Sequence, residues 1–396
     1  MPRVLPIMPC SDCHIAQALE ALIAAGAVTK EQLVQLLTNT CGTVLRNVAK
    51  GKAGSLVQTL LKAVPWPEQL VLLVKEGGED TALIAAVRQG HVAAVEALLA
   101  YAPEAQVAAV TRGSRNTPLH IAAASNSAAL VQILLRHSPR QQVLQRNWQG
   151  NTPLQQAVMQ AQCSREVVQL LLQHMPEEQV TMENGNRELP LMWAVCHHNL
   201  SVTRLLLAHL PLSQVLHRDR QRQTALAKAV TCGRADAARL LLAHCPERQV
   251  WHAFENGHNA LSLAVLGGCI EAVRLLLQHS PQQQVAHRLE GGVTLLGLAA
   301  ARGDAEMLEL LLPYTRNTKA LDAALETAAI AAPLAEGHRR CCQLLFMHGG
   351  SVASLSSGYR EAVEAVLRDT MQQHQASDSI DQAIVEAVVR LAYARI

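Results

Sequence analysis

The sequence predicts an all-α solenoid of stacked helix-turn-helix units with projecting loops, and three observations predict it. A short block recurs in phase, as TALIAAV at Thr81, TPLHIAA at Thr117, TPLQQAV at Thr152, LPLMWAV at Leu189, TALAKAV at Thr224, NALSLAV at Asn259 and TLLGLAA at Thr294, with spacings of 36, 35, 37, 35, 35 and 35 residues. A second block keeps the same phase behind it, as AVEALLAYAP, LVQILLRHSP, VVQLLLQHMP, VTRLLLAHLP, AARLLLAHCP and AVRLLLQHSP. The third follows each proline, as PEAQV, PRQQV, PEEQV, PLSQV, PERQV and PQQQV. Units of this kind cannot bury their apolar faces alone and share one continuous core with their neighbours.

Each block has a local physical reading. Thr or Asn caps a short first helix whose small apolar residues, such as Leu119, Ala122 and Ala123, recur at helical spacing. Gly90, Asn126, Gly233, Gly268 or Gly303 then reverses the chain, these residue types being tolerant of positive φ. The second helix carries a pair-plus-triplet pattern, as in Val167, Val168, Leu170, Leu171 and Leu172, and proline stops it. The two additional residues of the Thr152 unit fall in its inter-helix loop, at residues 160 to 164, where an insertion costs little. A weaker copy, TVLRNVA, starts at Thr43.

The array is expected to span residues 43–312. Residues 1–42 read as an N-terminal helical cap or degenerate repeat, with Ser11 capping a helix that carries Ile15, Leu19, Leu22 and Ile23 on one face. Residues 313–348 read as one more, degenerate repeat. Residues 349–396 open on a Gly/Ser-rich stretch and continue as two amphipathic helices, near 359–375 and 378–395, expected to close the stack with a polar face.

Composition removes several function classes. With 34 basic and 32 acidic residues the chain has no general field for nucleic acid or anionic lipid, and aromatics at 3% leave few platforms for stacking bases. No apolar run approaches the roughly 20 residues that span a bilayer, and the first ten residues, MPRVLPIMPC, are too short and broken for a secretory signal. The expectation is therefore a cytoplasmic monomer with no nucleic acid or membrane partner and with its ten cysteines reduced.

With NTPLHIAA followed by LVQILLRH, the sequence resembles the ankyrin repeat, a turn and two helices with a T-P-L-H-x-A signature. The resemblance implies antiparallel helices, hairpin loops projecting to one side, and recognition of a protein partner through the loop tips and the concave helical face. Two departures stand out. The unit is longer than the usual 33 or so residues, with Pro-x-x-Gln-Val in place of the usual Gly-Ala-Asp step and either a short turn or an extra half-turn of helix expected there. The signature histidine occurs only at His120, its place being taken by Ile84, Gln155, Met192, Ala227, Ser262 and Gly297.

Candidate chemistry is thin. CSDCH, Cys10 to His14, has the spacing of a haem c attachment or part of a metal site, yet no haem-pocket domain follows it, and coincidence near a helix start is the favoured reading. His137, His174, His209, His244 and His279 form a ladder at successive second-helix ends, spaced too far apart to share one ion and expected to cap their own helices. Cys196, His197 and His198 lack the third group that a thiol nucleophile needs. There is no P-loop, dinucleotide fingerprint, H-E-x-x-H or G-x-S-x-G. The expectation is a non-enzyme with no cofactor and no metal.

The remaining candidates are contact residues. Arg112, Arg115, Arg146, Trp148, Arg218, Arg220 and Arg222 fall in the segments between each Gln-Val and the next Thr, and Arg and Trp are the residues enriched at interface hot spots. Trp251 joins them as a candidate for contact, although it and Phe254 also fit packing; Trp193, at a place usually filled by Leu, is expected to pack. The expected function is a non-catalytic scaffold for a protein partner. An alternative expectation, by analogy with ankyrin proteins of intracellular bacteria, is an effector acting on a host protein in the host cytoplasm, with the C-terminal helices as a separate functional or translocation segment.

Overall fold

Helices of five to eight residues are too short to persist alone in water, so what holds the chain is how they stack. A computed structural model describes residues 80–350 except 252–256, 316 and 332–335, together with the helix Gly54–Ala63 and residues 45, 49, 67, 351, 360 and 363–366. The chain divides into two compact units, Met1–Gln214 and Val215–Ile396. Among the described residues there is no strand, only a bridge between Arg288 and Thr294. CSDCH, Phe254 and nearly all of the C-terminal segment lie outside the described residues.

In the first unit the first helices are Ala82–Gln89, Pro118–Ala124, Pro153–Val158 and Pro190–Cys196. Each packs on the next, and each is paired with a second helix, Val92–Leu99, Ala128–Leu134, Arg165–Leu172 and Leu200–Leu207, which form their own layer. Gly54–Ala63 packs on Val92–Leu99 as the preceding member of that layer. Thr81, Thr117 and Thr152 accept the amides of Ile84, His120 and Gln155, while Leu189 has no side chain with which to do so. Small residues such as Ala122, Ala123, Ala157 and Ala194 are fully covered and let the first helices approach closely. Val167, Val168, Leu171 and Leu172 are buried on one second helix, each contributing about 1.5–3 kcal/mol, while Leu170 is only half-buried.

The second unit repeats this order. First helices Ala225–Thr231, Ala260–Gly267 and Leu295–Arg302 stack in one layer, and Ala235–Leu242, Ile270–Leu276 and Ala305–Leu311 in the other. Thr318–Ala331 packs on Leu295–Arg302, and Glu336–Met347 on Ala305–Leu311. Cys341, Cys342, Leu345 and Phe346 are buried there. Burial pushes the thiols of Cys341 and Cys342 up to about 12 and that of Cys163 up to about 11, so these cysteines behave as small hydrophobes.

Among the described residues six repeats have three helices rather than two. Pro-x-x-Gln-Val forms the third, as Pro103–Ala108, Pro139–Leu144, Pro176–Thr181, Pro211–Val215, Pro246–Val250 and Pro281–Ala286. Proline at the first position needs no amide partner and is pre-set for helix. The residue before it turns the chain through the left-handed region, at Ala102, Ser138, Met175, Leu210, Cys245 and Ser280. That reversal brings the glutamine back under the second helix. Gln106, Gln142, Gln179, Gln214, Gln249 and Gln284 are at most 2% exposed. Their Nε2 groups donate at 2.6–2.8 Å to the carbonyls of Leu98, Leu134, Leu171, Leu206, Leu241 and Leu276. Each donates also to the carbonyl three residues on, that of Tyr101, His137, His174, His209, His244 or His279. This corrects the expectation for the histidine ladder: the second-helix ends are capped by buried glutamine amides, and the histidines supply the backbone carbonyl that is capped.

Side chains of the first helices tie neighbouring repeats together. His120 accepts the Thr117 amide on Nδ1 at 3.2 Å, which leaves Nε2–H to donate to Asn151 O at 2.9 Å in the next hairpin. Gln155, one repeat later, bridges in the same way to Met182 O and Glu188 O at 2.8 and 3.0 Å. Burial lowers the His120 pKa to about 4 against the opposing effect of its bond to Asn151 O. The unfolded chain, with its histidine near 6.5, takes up the proton first. The resulting stability is therefore present above pH 6.5 and lost as pH falls from there towards 4, by on the order of 3 kcal/mol. His120→Gln, which places the side chain of Gln155 one repeat earlier, is expected to flatten that pH slope in urea unfolding followed by circular dichroism.

The loops between first and second helices are hooked together too. Asn126 holds the longer loop of the Thr152 repeat, donating to Gln162 O at 3.0 Å and accepting from Ser164 N at 2.8 Å, and Asn199 holds it from the other side through Cys163 O at 2.7 Å.

Candidate protein-binding surface

The segment between the third helix and the next repeat must reverse within a few residues, and a side chain makes it do so. Asn147 N bonds Asn151 O at 2.9 Å, and Asn147 Oδ1 accepts the amides of Gln149 and Asn151, both at 3.0 Å. Asn184 and Asp219 play the same part in their repeats. Asn184 Oδ1 takes the amides of Asn186 and Glu188 at 2.9 Å each, and Asp219 Oδ1 those of Gln221 and Gln223 at 2.9 and 2.8 Å. In the first hairpin Thr111 does it through its hydroxyl, which accepts Asn116 N at 2.9 Å. The loops are tight hairpins with internally satisfied backbones, so their tips are presented at little cost in conformational entropy.

Two residues before each first-helix cap, the hairpins share a position in the left-handed region: Arg115, Gly150, Arg187, Arg222, Gly257 and Gly292, the last preceded by Gly291, which is left-handed too. Where it is not glycine it is arginine, at a conformational cost of about 1–2 kcal/mol. Neighbouring tips of the first unit also touch. Trp148 N donates to Ser114 O at 3.0 Å, Gly185 N to Gln149 O at 2.9 Å, and Asn147 Nδ2 to Asn116 Oδ1 at 2.9 Å.

On this frame Arg112, Arg115, Arg146 and Trp148 are all exposed and lie on two hairpins in contact, with Trp148 70% exposed. Arg220 and Arg222 are exposed on the 219–223 hairpin of the second unit, and Arg218 is exposed immediately before it. The carboxylate there, Asp219, is buried, engaged by backbone amides, and paired through Oδ2 with Lys228 Nζ at 3.0 Å. Trp251 is 39% exposed but ends the third helix Pro246–Val250, and no described hairpin includes it. Trp193 is half-buried and stacks on His197, with ring centroids 6.1 Å apart and planes at 21°. Arg187 is a tip residue that the sequence pattern did not single out, although it stands at the position of Arg115 and Arg222; its guanidinium is paired with Glu183 at 3.3 Å. Val110 and Val293, 44% and 42% exposed, went unmarked as well, because a single apolar residue in a loop carries no periodic signal.

Among the described residues no group of three or more His, Cys, Asp or Glu side chains is placed to hold a metal ion, and no helix is long and apolar enough to cross a membrane. Stacked helical repeats with backbone-locked hairpins define a helical repeat module with short projecting loops. A family model described as ankyrin repeats (3 copies) matches residues 45–147, 104–183, 174–251 and 191–288, and the chain belongs to the ankyrin-repeat family. Ankyrin repeats are generally protein–protein interaction modules and typically non-catalytic. A search of curated proteins found none that matches the chain.

Proposed function

We propose that this chain is a non-catalytic scaffold that binds a protein partner through its hairpin tips and the helical surface beside them. The observation that carries the reading is the exposure of Trp148, Arg112, Arg115 and Arg146, and of Arg218, Arg220 and Arg222, on hairpins whose backbones are fixed by Thr111, Asn147 and Asp219. Arginine and tryptophan are the side chains that most often dominate interface energy, and a pre-set loop loses little entropy on docking. Specific recognition then comes from a few residues per repeat added along the array. No observation among the described residues favours the effector reading, and the scaffold reading is the one carried forward.

Pull-downs from candidate lysates, read by mass spectrometry with the unchanged chain beside Arg218→Glu, Arg220→Glu, Arg222→Glu and Trp148→Ala variants, test this. Partners held by the parent chain are expected to be lost from at least one tip variant whose circular dichroism is unchanged. The same proteins retained by all of the variants would remove the hairpin tips as the binding surface.

A further inference from the structure

We propose that the touching hairpins 111–116 and 147–151 form a docking surface for an acidic, extended segment of a partner protein, with Trp148 as apolar anchor and Arg112, Arg115 and Arg146 as carboxylate-binding groups. This rests on the protein-binding reading above and names the chemistry of the partner.

Charge complementarity carries the choice of occupant. Residues 109–116 and 145–151, AVTRGSRN and QRNWQGN, contain three arginines and no Asp or Glu. All three guanidiniums are exposed, and among the described residues none makes an ion pair. The next hairpin shows the alternative. There Arg187, at the position of Arg115, is answered from its own loop by Glu183 at 3.3 Å, and Glu188 is buried against Asn184 Nδ2 at 3.1 Å. The first two tips thus leave to another molecule the carboxylates that the third supplies itself. An arginine fork pairs with a carboxylate through two parallel hydrogen bonds, a geometry that ordinary peptide carbonyls do not offer.

The apolar part of the surface is as specific. Trp148 stands 70% exposed on a loop held at Asn147 Oδ1 by two amides and joined to the neighbouring tip through Ser114 O and Asn116 Oδ1. An indole kept in water on a fixed backbone is an anchor that an apolar residue of the partner can cover. Arg115 keeps a left-handed backbone, φ 53°, where Gly150, Gly257 and Gly292 occupy the same turn position, so its side chain is retained against a conformational penalty. A nucleic acid is the weaker fit. Three cations on a chain of net charge +2 offer few of the 6–10 or so phosphate contacts that drive such binding, and aromatics are only 3% of residues.

The test uses the full chain and three probes labelled for anisotropy: a decapeptide alternating Glu and Leu, its Lys/Leu counterpart, and a single-stranded RNA decamer. The Glu/Leu peptide is expected to bind, to perturb Trp148 fluorescence, and to weaken as salt is raised. Binding is expected to fall about tenfold or more in the Arg112→Glu, Arg115→Glu, Arg146→Glu triple variant and about tenfold in Trp148→Ala, the scale of a hot-spot loss. An Arg165→Glu, Arg204→Glu, Arg239→Glu variant, altered at exposed second-helix positions, should bind as the parent does. Failure of the Glu/Leu peptide to bind, equal affinity in the two triple variants, or tighter binding of the RNA through the same arginines would overturn the proposal. Protein partners that are lost with Trp148→Ala, yet keep their affinity in the Arg112, Arg115, Arg146 variant, would sink the acidic chemistry and leave the scaffold reading standing.

Discussion

Gln179→Ala is expected to destabilise the first unit by about 3 kcal/mol in urea unfolding followed by circular dichroism. The substitution removes two hydrogen bonds from a side chain with no exposed surface, those to Leu171 O at 2.7 Å and His174 O at 2.5 Å. Each bond contributes about 0.5–1.5 kcal/mol net, and desolvation adds to this at the part-buried His174 carbonyl, by up to about 1–3 kcal/mol, while Leu171 O keeps the His174 amide at 3.2 Å. The missing amide also leaves a cavity under the second helix, with its own penalty. Against this, among the described residues the Oε1 atom of Gln179 has no hydrogen-bond partner, so its loss removes one unfavourable term. Gln179→Met separates the contributions, because it keeps most of the volume and none of the hydrogen bonding. Methionine should recover the packing part and leave roughly 2 kcal/mol of the deficit, close to the hydrogen-bond and desolvation terms alone. Recovery of full stability by methionine would mean that the glutamine acts as filler and not as a cap.

Gly150→Ala is expected to cost a similar amount for a different reason, and Gly292→Ala is its built-in control. Both glycines hold the left-handed position of their hairpins, with φ 77° and 78°. Alanine pays about 1–2 kcal/mol for that conformation at either site. At Gly292 the new methyl meets nothing within 4 Å, so the cost should stop there. At Gly150 it would stand 2.8 Å from the backbone nitrogen of Gly185, which cannot swing aside as a side chain can. The two tips must separate, and the bond from Gly185 N to Gln149 O at 2.9 Å goes with them. The total should reach about 3 kcal/mol for Gly150→Ala against about 1 for Gly292→Ala. Equal losses at the two sites, by the same unfolding measurement, would show that the hairpins do not depend on touching.

The repeat architecture was legible because three blocks recur in phase, and each block marks one physical event: a cap, an apolar helix face, a proline stop. The third helix was only half legible. Pro-x-x-Gln-Val is conspicuous in the sequence, but the reach of Gln142 back to Leu134 O depends on a left-handed turn at Ser138. That turn is made at other repeats by Ala102, Met175, Leu210, Cys245 and Ser280. Left-handed backbone is normally announced by glycine or asparagine, and these residues announce nothing. The histidine ladder misled for a related reason: a titratable ring at a helix end suggests capping, whereas the capping group lies five residues further on. At the hairpins, the tip segments and most of their arginines could be found from their place between blocks. Their mutual contact could not, because Trp148 N, Ser114 O, Gly185 N and Gln149 O are backbone atoms that every residue carries. Trp251 stands apart from the other candidates, exposed at the end of a third helix and on no described hairpin.

All of this depends on repeats that stand only against one another. In isolation residues 117–151 would expose Leu119, Val131 and Leu134, all fully covered in the stack, on helices of six or seven residues. Far-ultraviolet circular dichroism of that 35-residue peptide, measured beside residues 1–214 through a thermal melt, tests this most directly. The peptide is expected to give a coil spectrum with no transition, and the longer fragment a helical spectrum lost cooperatively. A helical, cooperatively melting single repeat would contradict the account.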